Sequence, residues 1–351
     1  ALPIWVWEEC HRLLKPGGFA CINIGDATRK LGDNFRLYSN HARILSSCTA
    51  LGFQALPAIL WRKQTNGPNK FMGSGMLPAG AYVTLEHEYI LILRKGGKRA
   101  FTDEDKARRR ESAFFWEERN RWFSDIWELK GIRQEMGNGG KANGAANGNS
   151  GLAGPRKRSA AFPFEIAYRL ITMYSLRGDT VLDPFLGTGT TTAAAIAAAR
   201  NSVGVERNEG FSDIILSLIE SYTPEMNRRI RRRFDEHLEF LREREEKTGA
   251  PPGHINTCYG FPVMTKQETE LRIPYVESIS RTGNESSPEG ETKTGSHSHQ
   301  RDQDSSITLE TAHRDNATIE APPPSRAVLQ DGDEHGRENN GRSELQPDLF
   351  E

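Results

Sequence analysis

Cysteine is scarce in this sequence. Its 351 residues include only four cysteines, at positions 10, 21, 48 and 258, and no two of them have the CxxC spacing. That pattern argues against a structural zinc site and against a disulfide framework. No apolar run approaches the roughly 18 residues that a membrane-spanning helix needs. Together these absences fit a reducing compartment and predict a cytoplasmic protein.

Acidic residues are unevenly distributed along the chain. From Pro251 onward, 9 Lys and Arg stand against 18 Asp and Glu, a net charge of −9. The whole chain has a net charge of −1, so residues 1–250 have a net charge of +8. A basic body predicts a polyanionic partner, and ordinary surface charge is the alternative interpretation.

Alternating helical and strand patterns predict an α/β fold. In the first half the expected order is helix 4–14, strand 19–26, helix 35–53, strand 55–63, loop 64–81 and strand 85–95. The last two strands lack a helix between them, which predicts antiparallel pairing. In the second half we expect helix 159–175, strand 180–183, helix 190–200, strand 202–206 and helix 211–222.

Composition divides the chain into five predicted segments. Residues 1–95 and 159–225 contain the α/β patterns, and 96–158 form a charged, aromatic insert ending in a Gly- and Asn-rich linker at 137–154. Residues 226–250 read as a charged helix beyond the core. Residues 251–351 are rich in Ser, Thr, Glu, Gly and Pro, which predicts a disordered acidic tail.

The stretch VLDPFLGTGTTTAAA at 181–195 predicts a strand, a glycine turn and a helix. Gly187 and Gly189 allow a tight turn and close approach of a ligand, and Thr190 or Thr191 can cap the helix. The turn lacks the third glycine of an NAD-binding GxGxxG and the lysine of a P-loop. Phosphate-binding loops of both kinds are therefore disfavoured.

Two acidic residues point to a different cofactor. Asp183 ends the strand before the turn, where it would repel a pyrophosphate and attract a cation. Glu206 ends the next strand, about 20 residues on, where an acid accepts hydrogen bonds from ribose hydroxyls. This pair suits a cationic nucleoside such as S-adenosylmethionine.

These residues carry a family resemblance. DPFLGTGTT and GVE resemble motifs I and II of the S-adenosylmethionine-dependent DNA amino-methyltransferases, and AAFPFEIAYRLI resembles their motif X. In the permuted β-type branch the catalytic half comes first, and RLLKPGGFACINIGD, AILWRK and EHEYILILRK resemble its later strands. The resemblance covers residues 4–222. It implies a doubly wound, Rossmann-like methyltransferase sheet, circularly permuted.

The resemblance also implies the cofactor residues. In the family the Phe-Pro region of motif X lines the methionine end of the cofactor pocket, and core packing is the alternative role for Phe162. The expected cofactor-binding residues are Phe162, Pro163, Asp183, Pro184, Phe185, Gly187, Thr188, Gly189, Thr190, Thr191 and Glu206.

The catalytic motif of the family is absent from this sequence. That motif is a [Ser/Asp/Asn]-Pro-Pro-[Tyr/Phe/Trp] loop, and the only Pro-Pro stretches, at 250–253 and 321–325, lack the aromatic residue and follow motif I. The expected position of the loop is before Ala1, together with the first core strands. We therefore expect the chain alone to be marginally stable and to show negligible methyl transfer.

The insert is the expected target-recognition region, because β-type enzymes often place it there. Its aromatic residues are expected to pack a small subdomain, and stacking on bases is the alternative. In related enzymes a position near Tyr89 lies beside the target-base pocket, so the resemblance makes Tyr89 a candidate neighbour of the target base. His87 has no metal partner at useful spacing and is expected to be a packed or hydrogen-bonded strand residue. We expect five arginines to contact DNA phosphates or guanine edges, namely Arg108, Arg109, Arg110, Arg119 and Arg121. Plain solvation of these side chains is the alternative.

The expected reaction is methylation of double-stranded DNA at cytosine N4 or adenine N6. Carbon-5 methylation of cytosine is disfavoured because no cysteine follows a proline. The alternatives are a non-catalytic DNA-binding or specificity protein and an RNA methyltransferase. A cognate restriction endonuclease is the expected partner, and the prokaryotic cytosol or nucleoid the expected location.

Overall fold

The computed structural model describes residues 4–32, 34–63, 72–73, 76–131, 162–282 and 308–314, all within one compact unit, Ala1–Ile319. The elements of the first half are α1 Ile4–Leu13, β1 Phe19–Ile24, β2 Ala27–Leu31, β3 Asn34–Tyr38, α2 Asn40–Ala50, β4 Phe53–Arg62, β5 Met72–Gly73, β6 Ala81–Tyr82, β7 His87–Lys95, α3 Asp103–Glu111, α4 Trp116–Trp122 and β8 Ile126–Glu128. Those of the second half are α5 Phe164–Tyr174, β9 Thr180–Asp183, α6 Thr190–Ala197, β10 Asn201–Gly204, α7 Ser212–Ser221, α8 Thr223–Thr248, β11 His254–Ile255, β12 Pro262–Val263, β13 Tyr275–Thr282 and β14 Thr308–Arg314. The predicted α/β class is confirmed. None of the described helices is long and apolar enough to cross a membrane.

The first half is built on a four-stranded sheet in the order β1-β7-β4-β8. The central strand β7 pairs antiparallel with β1 and β4, as predicted for β4 and β7. Its apolar residues alternate between two cores: Leu91 and Leu93 pack with α1 and α2 on one face, and Ile90 and Ile92 pack with α5 on the other. An apolar run buried on both faces is expected of such a central strand.

The second half places β9 and β10 side by side in a parallel pair. Helix α6 covers them, and its residues Ala193–Ala197, all alanine except Ile196, are almost fully buried. Small side chains let this helix lie close to its neighbours α5 and α7. Among the described residues no hydrogen-bonded ladder joins this pair to the four-stranded sheet.

The predicted helix 35–53 is wrong at its beginning. Residues 35–38 belong to β3, which pairs antiparallel with β2 in a hairpin, and the helix begins only at Asn40. Gly32, with a φ of +58°, lies at the turn of this hairpin. A Gly-Asp turn between two extended segments is a hairpin signal, and the apolar residues of the following helix concealed it.

The predicted insert is part of the fold. Strand β8 pairs parallel with β4 and so extends the main sheet. Phe115, Trp122 and Trp127 are buried, which agrees with packing as the role of the aromatic residues, whereas Trp116 is 41% exposed. The Gly- and Asn-rich linker lies outside the described residues.

Two predictions about the C-terminal third are wrong. Helix α8 is a core element, because Ile230 and Phe234 are buried against Phe115. Residues 251–282, predicted to be disordered, contain β11, β12 and β13 and contribute Phe261 and Leu271 to the same core. Residues 251–282 are polar on average, so their composition did not predict that α8 and α4 bury a few of their large apolar side chains. Residues 283–307 and 315–351 lie outside the described part.

Helix α8 also brings arginines into the interior. Arg233 is 4% exposed and forms a bidentate pair with Glu118 of α4, at 2.6 and 2.7 Å. Arg229 is paired with Glu165 of α5. Because each charge has a partner of opposite sign, the interior tolerates them, and α8 is tied to both α4 and α5.

Candidate functional site

The glycine turn lies between the end of β9 and the beginning of α6. Gly187 and Gly189 have φ values of +59° and +84°, in the region that favours glycine. Gly189 is the N-cap residue of α6, and no side chain caps the helix, so the prediction that Thr190 or Thr191 does so is wrong. The first amides of α6 therefore keep their hydrogen-bonding capacity for a ligand.

Asp183 is the last residue of β9, whereas Glu206 lies two residues after β10, which ends earlier than predicted, and reaches the turn. One oxygen of Glu206 accepts a hydrogen bond from the Gly187 amide at 3.0 Å, and the other accepts one from the Asn208 amide at 3.1 Å. Asp183 accepts a hydrogen bond from the Phe185 amide at 2.9 Å. Each carboxylate oxygen has a further lone pair, so both acids can still accept hydrogen bonds from a ligand.

Helix α1 borders the turn from the first half of the chain. The Phe185 ring is 46% exposed and makes an edge contact with Trp7, with ring centroids 5.7 Å apart. Burial raises the pKa of the Cys10 thiol, and the negative charge of Asp183 raises it further. Among the remaining predicted turn residues, Thr188 and Thr190 are buried and Pro184 and Thr191 are half-buried.

The predicted motif X residues lie at the beginning of α5. Phe162 is half-buried and packs against both the α5–α6 core and the core beneath the main sheet. Pro163 is buried and is the N-cap residue of α5. Phe162 therefore has the packing role that was its alternative interpretation, and contact of either residue with a cofactor stays a prediction.

Tyr89 belongs to a cluster that the sequence reading missed. Its ring is stacked on the ring of His41, with centroids 3.8 Å apart and planes 16° apart, and His87 contacts it edge-on. The His41 Nδ1 atom lies 2.8 Å from the Asp26 carboxylate, which orients the imidazole. The only sequence signal was the Gly-Asp pair that ends the β1 segment. His41 carried none, because it lay within a longer predicted helix.

A second polar group extends this cluster along the sheet. The Asn23 side-chain amide donates to Glu88 at 2.7 Å, and Glu88 is also paired with Lys63. The ammonium of Lys63 lies over the Trp61 ring, 4.5 Å from its centroid. No group of three possible metal ligands occurs within the described ranges, so this edge of the sheet is polar without resembling a metal centre.

The arginines predicted to contact DNA are all engaged within the chain. Arg108 pairs with Asp105, Arg110 donates to Glu270 at 2.9 Å, and Arg121 donates to Glu236 at 2.6 Å. The guanidinium groups of Arg109 and Arg119 lie over the rings of Phe101 and Phe123. The contact of Arg121 attaches α4 to α8, and that of Arg110 attaches α3 to the segment after α8.

The fold and the turn define the class of protein. A parallel strand pair, a glycine turn, and two acids, one at the end of β9 and one two residues after the end of β10, are the features expected of a site for a nucleoside carrying positive charge. The neutral or negative groups of the turn suit the sulfonium and ammonium of S-adenosylmethionine better than a phosphate.

Comparison with known proteins gives the family. Residues 4–217 match the family of N6/N4 DNA methylases, and the chain belongs to it. It is therefore a member of the S-adenosylmethionine-dependent DNA amino-methyltransferases, as the motifs predicted.

Three relatives illustrate the similarity. The type II methyltransferase M.MthZI of Methanothermobacter thermautotrophicus is 50% identical over 281 residues, which are 80% of this chain and 74% of that protein. M.MjaI of Methanocaldococcus jannaschii is 52% identical over 212 residues, 60% of this chain and 64% of that protein. A solved structure of TTHA0409 from Thermus thermophilus, complexed with S-adenosyl-L-methionine, is 33% identical with a TM-score of 0.49, covering 63% of this chain and 76% of that one.

Replacing Gly189 by alanine is expected to lower the free energy of unfolding by about 1–2 kcal/mol, the cost of a left-handed conformation for a residue with a Cβ atom. The added Cβ would also lie 3.1 Å from Ile215 Cγ2. Urea denaturation measures the change. Gly97→Ala is the matched control, since no atom lies within 4 Å of its added Cβ. Equal stability of the two variants would contradict the prediction.

Proposed function

We propose that this protein binds S-adenosylmethionine at the β9–α6 turn and transfers its methyl group to an exocyclic amine of double-stranded DNA, cytosine N4 or adenine N6. The observation that carries the proposal is the pair of acids, Asp183 at the end of β9 and Glu206 just after β10, beside the glycine turn that precedes α6. Family membership supports the chemistry of the reaction.

Each part of the turn has a proposed role in holding the cofactor. Asp183 attracts the cationic methionine end of the cofactor. Glu206 accepts hydrogen bonds from the ribose hydroxyls and also keeps the hydrogen bond that it accepts from the Gly187 amide. The exposed Phe185 ring offers an apolar surface for the adenine base. Bound S-adenosylmethionine supplies a methyl group on a positively charged sulfur. The other predicted contacts of the turn are proposed on the same grounds, at Pro184, Thr188, Gly189, Thr190 and Thr191, with Phe162 and Pro163 nearby.

We propose that the target base binds beside the Tyr89 cluster, which consists of Tyr89, His41, His87 and Asp26. The amine of cytosine or adenine is a weak nucleophile because its lone pair is conjugated with the ring, so the base must be taken out of the duplex and oriented. Tyr89 offers an aromatic ring for this, and His41, held by Asp26, keeps that ring in place. The family's Pro-Pro loop, which supplies hydrogen-bond acceptors for the target amine, does not occur in this sequence.

Base analysis tests the reaction. The genomic reading frame that contains this sequence is expressed in a bacterial host free of both marks, and the digested host DNA is examined by mass spectrometry. We expect N4-methylcytosine or N6-methyladenine at a defined sequence. The appearance of 5-methylcytosine alone would contradict the proposal. Cofactor binding without any new mark would favour the non-catalytic DNA-binding alternative.

We further propose that the protein acts in a restriction-modification system. The names of its relatives M.MthZI and M.MjaI, both type II methyltransferases, support this. The partner would be a restriction endonuclease that cleaves the same sequence when it is unmethylated. A protein that modifies chromosomal DNA would work in the cytosol at the nucleoid.

A further inference from the structure

We propose that the β2–β3 hairpin and the exposed face of α2 bind the DNA backbone phosphates, in place of the arginines of α3 and α4. This inference rests on the proposed function, because it takes duplex DNA as the substrate. We call this region the hairpin–α2 surface. It comprises Arg29, Lys30, Arg36, Arg43 and Ser46.

The hairpin–α2 surface carries positive charge that no nearby carboxylate compensates. Residues 27–50 contain four Lys and Arg and a single Asp. All four cations are exposed, and none has a carboxylate within 4 Å among the described residues. By contrast, residues 101–131 contain seven Lys and Arg against eight Asp and Glu, and Arg108, Arg110 and Arg121 are paired with carboxylates. A cation without a carboxylate partner is available to neutralise a DNA phosphate.

The register of the hairpin gives an independent indication of an anionic ligand. Arg29 is paired directly with Arg36 across the two strands. Directly opposed residues lie on the same face with Cβ atoms about 4.5–5.5 Å apart, and like charges in this position destabilise a strand pair. The pairing of two arginines therefore does not stabilise the hairpin by itself. A phosphate bound between the two guanidinium groups would turn the repulsion into two charge-assisted hydrogen bonds.

A groove beside the hairpin has the lining of a phosphate site. It is open, has a volume of about 630 Å³ and runs between β3 and α2. Arg36 is held along it, because its Nε donates to the Tyr38 hydroxyl at 2.9 Å and its guanidinium lies over the Tyr38 ring. Arg43 and Ser46 face the groove from α2. Guanidinium and hydroxyl donors are the groups that contact DNA phosphates.

Contacts at the base of the hairpin place this surface next to the proposed base pocket. The Asn40 side chain donates to the Gly25 carbonyl at 3.0 Å, and the His41 amide donates to Asp26 at 3.1 Å. The His41 ring then stacks on Tyr89. A strand of DNA bound along the hairpin–α2 surface would therefore present its bases towards the Tyr89 cluster.

The test is the salt dependence of DNA binding. Fluorescence anisotropy measures the affinity of the full chain for a labelled 30-base-pair duplex at several salt concentrations. Each lost phosphate contact should reduce the slope of log K against log salt by about 0.9. The double variant Arg29→Ala/Arg36→Ala removes the two arginines that share one phosphate and should reduce the slope by about 0.9, and Arg43→Ala should also reduce it by about 0.9. The matched control Arg110→Ala/Arg121→Ala removes two exposed, internally paired arginines and should keep the slope of the unmodified chain.

The outcomes separate this inference from the proposed function. S-adenosylmethionine affinity and circular dichroism show whether each variant is folded. If the control loses slope and the hairpin variants keep it, α3 and α4 bind the phosphates and the inference is overturned. The same holds if the unmodified chain binds the duplex and no variant differs from it. If the unmodified chain binds neither duplex nor S-adenosylmethionine, the proposed function fails as well.

Discussion

Replacing Asp183 by asparagine is expected to weaken S-adenosylmethionine binding by about 10- to 150-fold, the equivalent of 1.5–3 kcal/mol for a hydrogen bond to a charged group. The substitution removes the negative charge and keeps the shape. The asparagine oxygen can still accept the hydrogen bond from the Phe185 amide that Asp183 accepts at 2.9 Å. The turn should therefore stay intact while the attraction for a cationic cofactor is lost. Isothermal titration calorimetry measures the affinity.

The control for this experiment is Asp235→Asn. Asp235 is an exposed carboxylate on α8, so the same change of charge there should leave the affinity within twofold of the unmodified chain. If Asp183→Asn binds S-adenosylmethionine as tightly as this control does, Asp183 serves only to shape the turn. The assignment of the cationic end of the cofactor to this acid would then be wrong.

Replacing Glu118 by glutamine is expected to lower the free energy of unfolding by about 3–5 kcal/mol, the cost of leaving a buried charge without its partner. Glu118 is 1% exposed and forms both hydrogen bonds of the bidentate pair with Arg233. Burial disfavours the charged guanidinium, but the charge of Glu118 outweighs it and holds the pKa of Arg233 above its usual range. Arginine is not deprotonated in proteins, so Arg233 stays charged in the variant. Its remaining polar partners are then neutral, the Tyr168 hydroxyl and the oxygen of the introduced amide. Urea denaturation followed by circular dichroism measures the loss.

Two further variants isolate the buried charge as the cause. Arg121→Ala breaks the exposed pair with Glu236 and should cost only about 0–1 kcal/mol. The double variant Glu118→Gln/Arg233→Met removes the orphaned charge and should be more stable than Glu118→Gln alone. A double variant as unstable as the single one would show that lost packing, rather than the unpaired charge, explains the effect.

Local patterns along the sequence were sufficient to predict the first strand and the glycine turn of the cofactor-binding half. The strand Thr180–Asp183 begins and ends where its apolar run predicted, and the glycine turn follows it directly. This succeeded because a turn with positive φ values demands glycine at particular positions, and a buried strand demands consecutive apolar residues. The antiparallel pairing of β4 with β7 was also predictable, because no helix lies between the two strands.

Prediction from the sequence failed for residues whose roles depend on partners far away along the chain. The arginines around position 110 are indistinguishable by composition from a phosphate-binding patch, and only the fold brings Glu236 and Glu270 to them. The hairpin arginines carried no signal because 35–38 were assigned to a helix. Segment 251–282 was too polar on average to predict a core, yet α8 supplies the apolar surface that its few large residues need.

The sequence by itself therefore determined the class of fold, the family and the glycine turn with its two acids, because these depend on backbone conformation and on residues close along the chain. Only the tertiary structure decided which cations are neutralised within the protein and which remain free for a partner. It also decided that His41 and Asp26 belong beside Tyr89. Charge compensation and ring stacking act through space at a few ångströms, and residues far apart along the chain reach those distances only after folding.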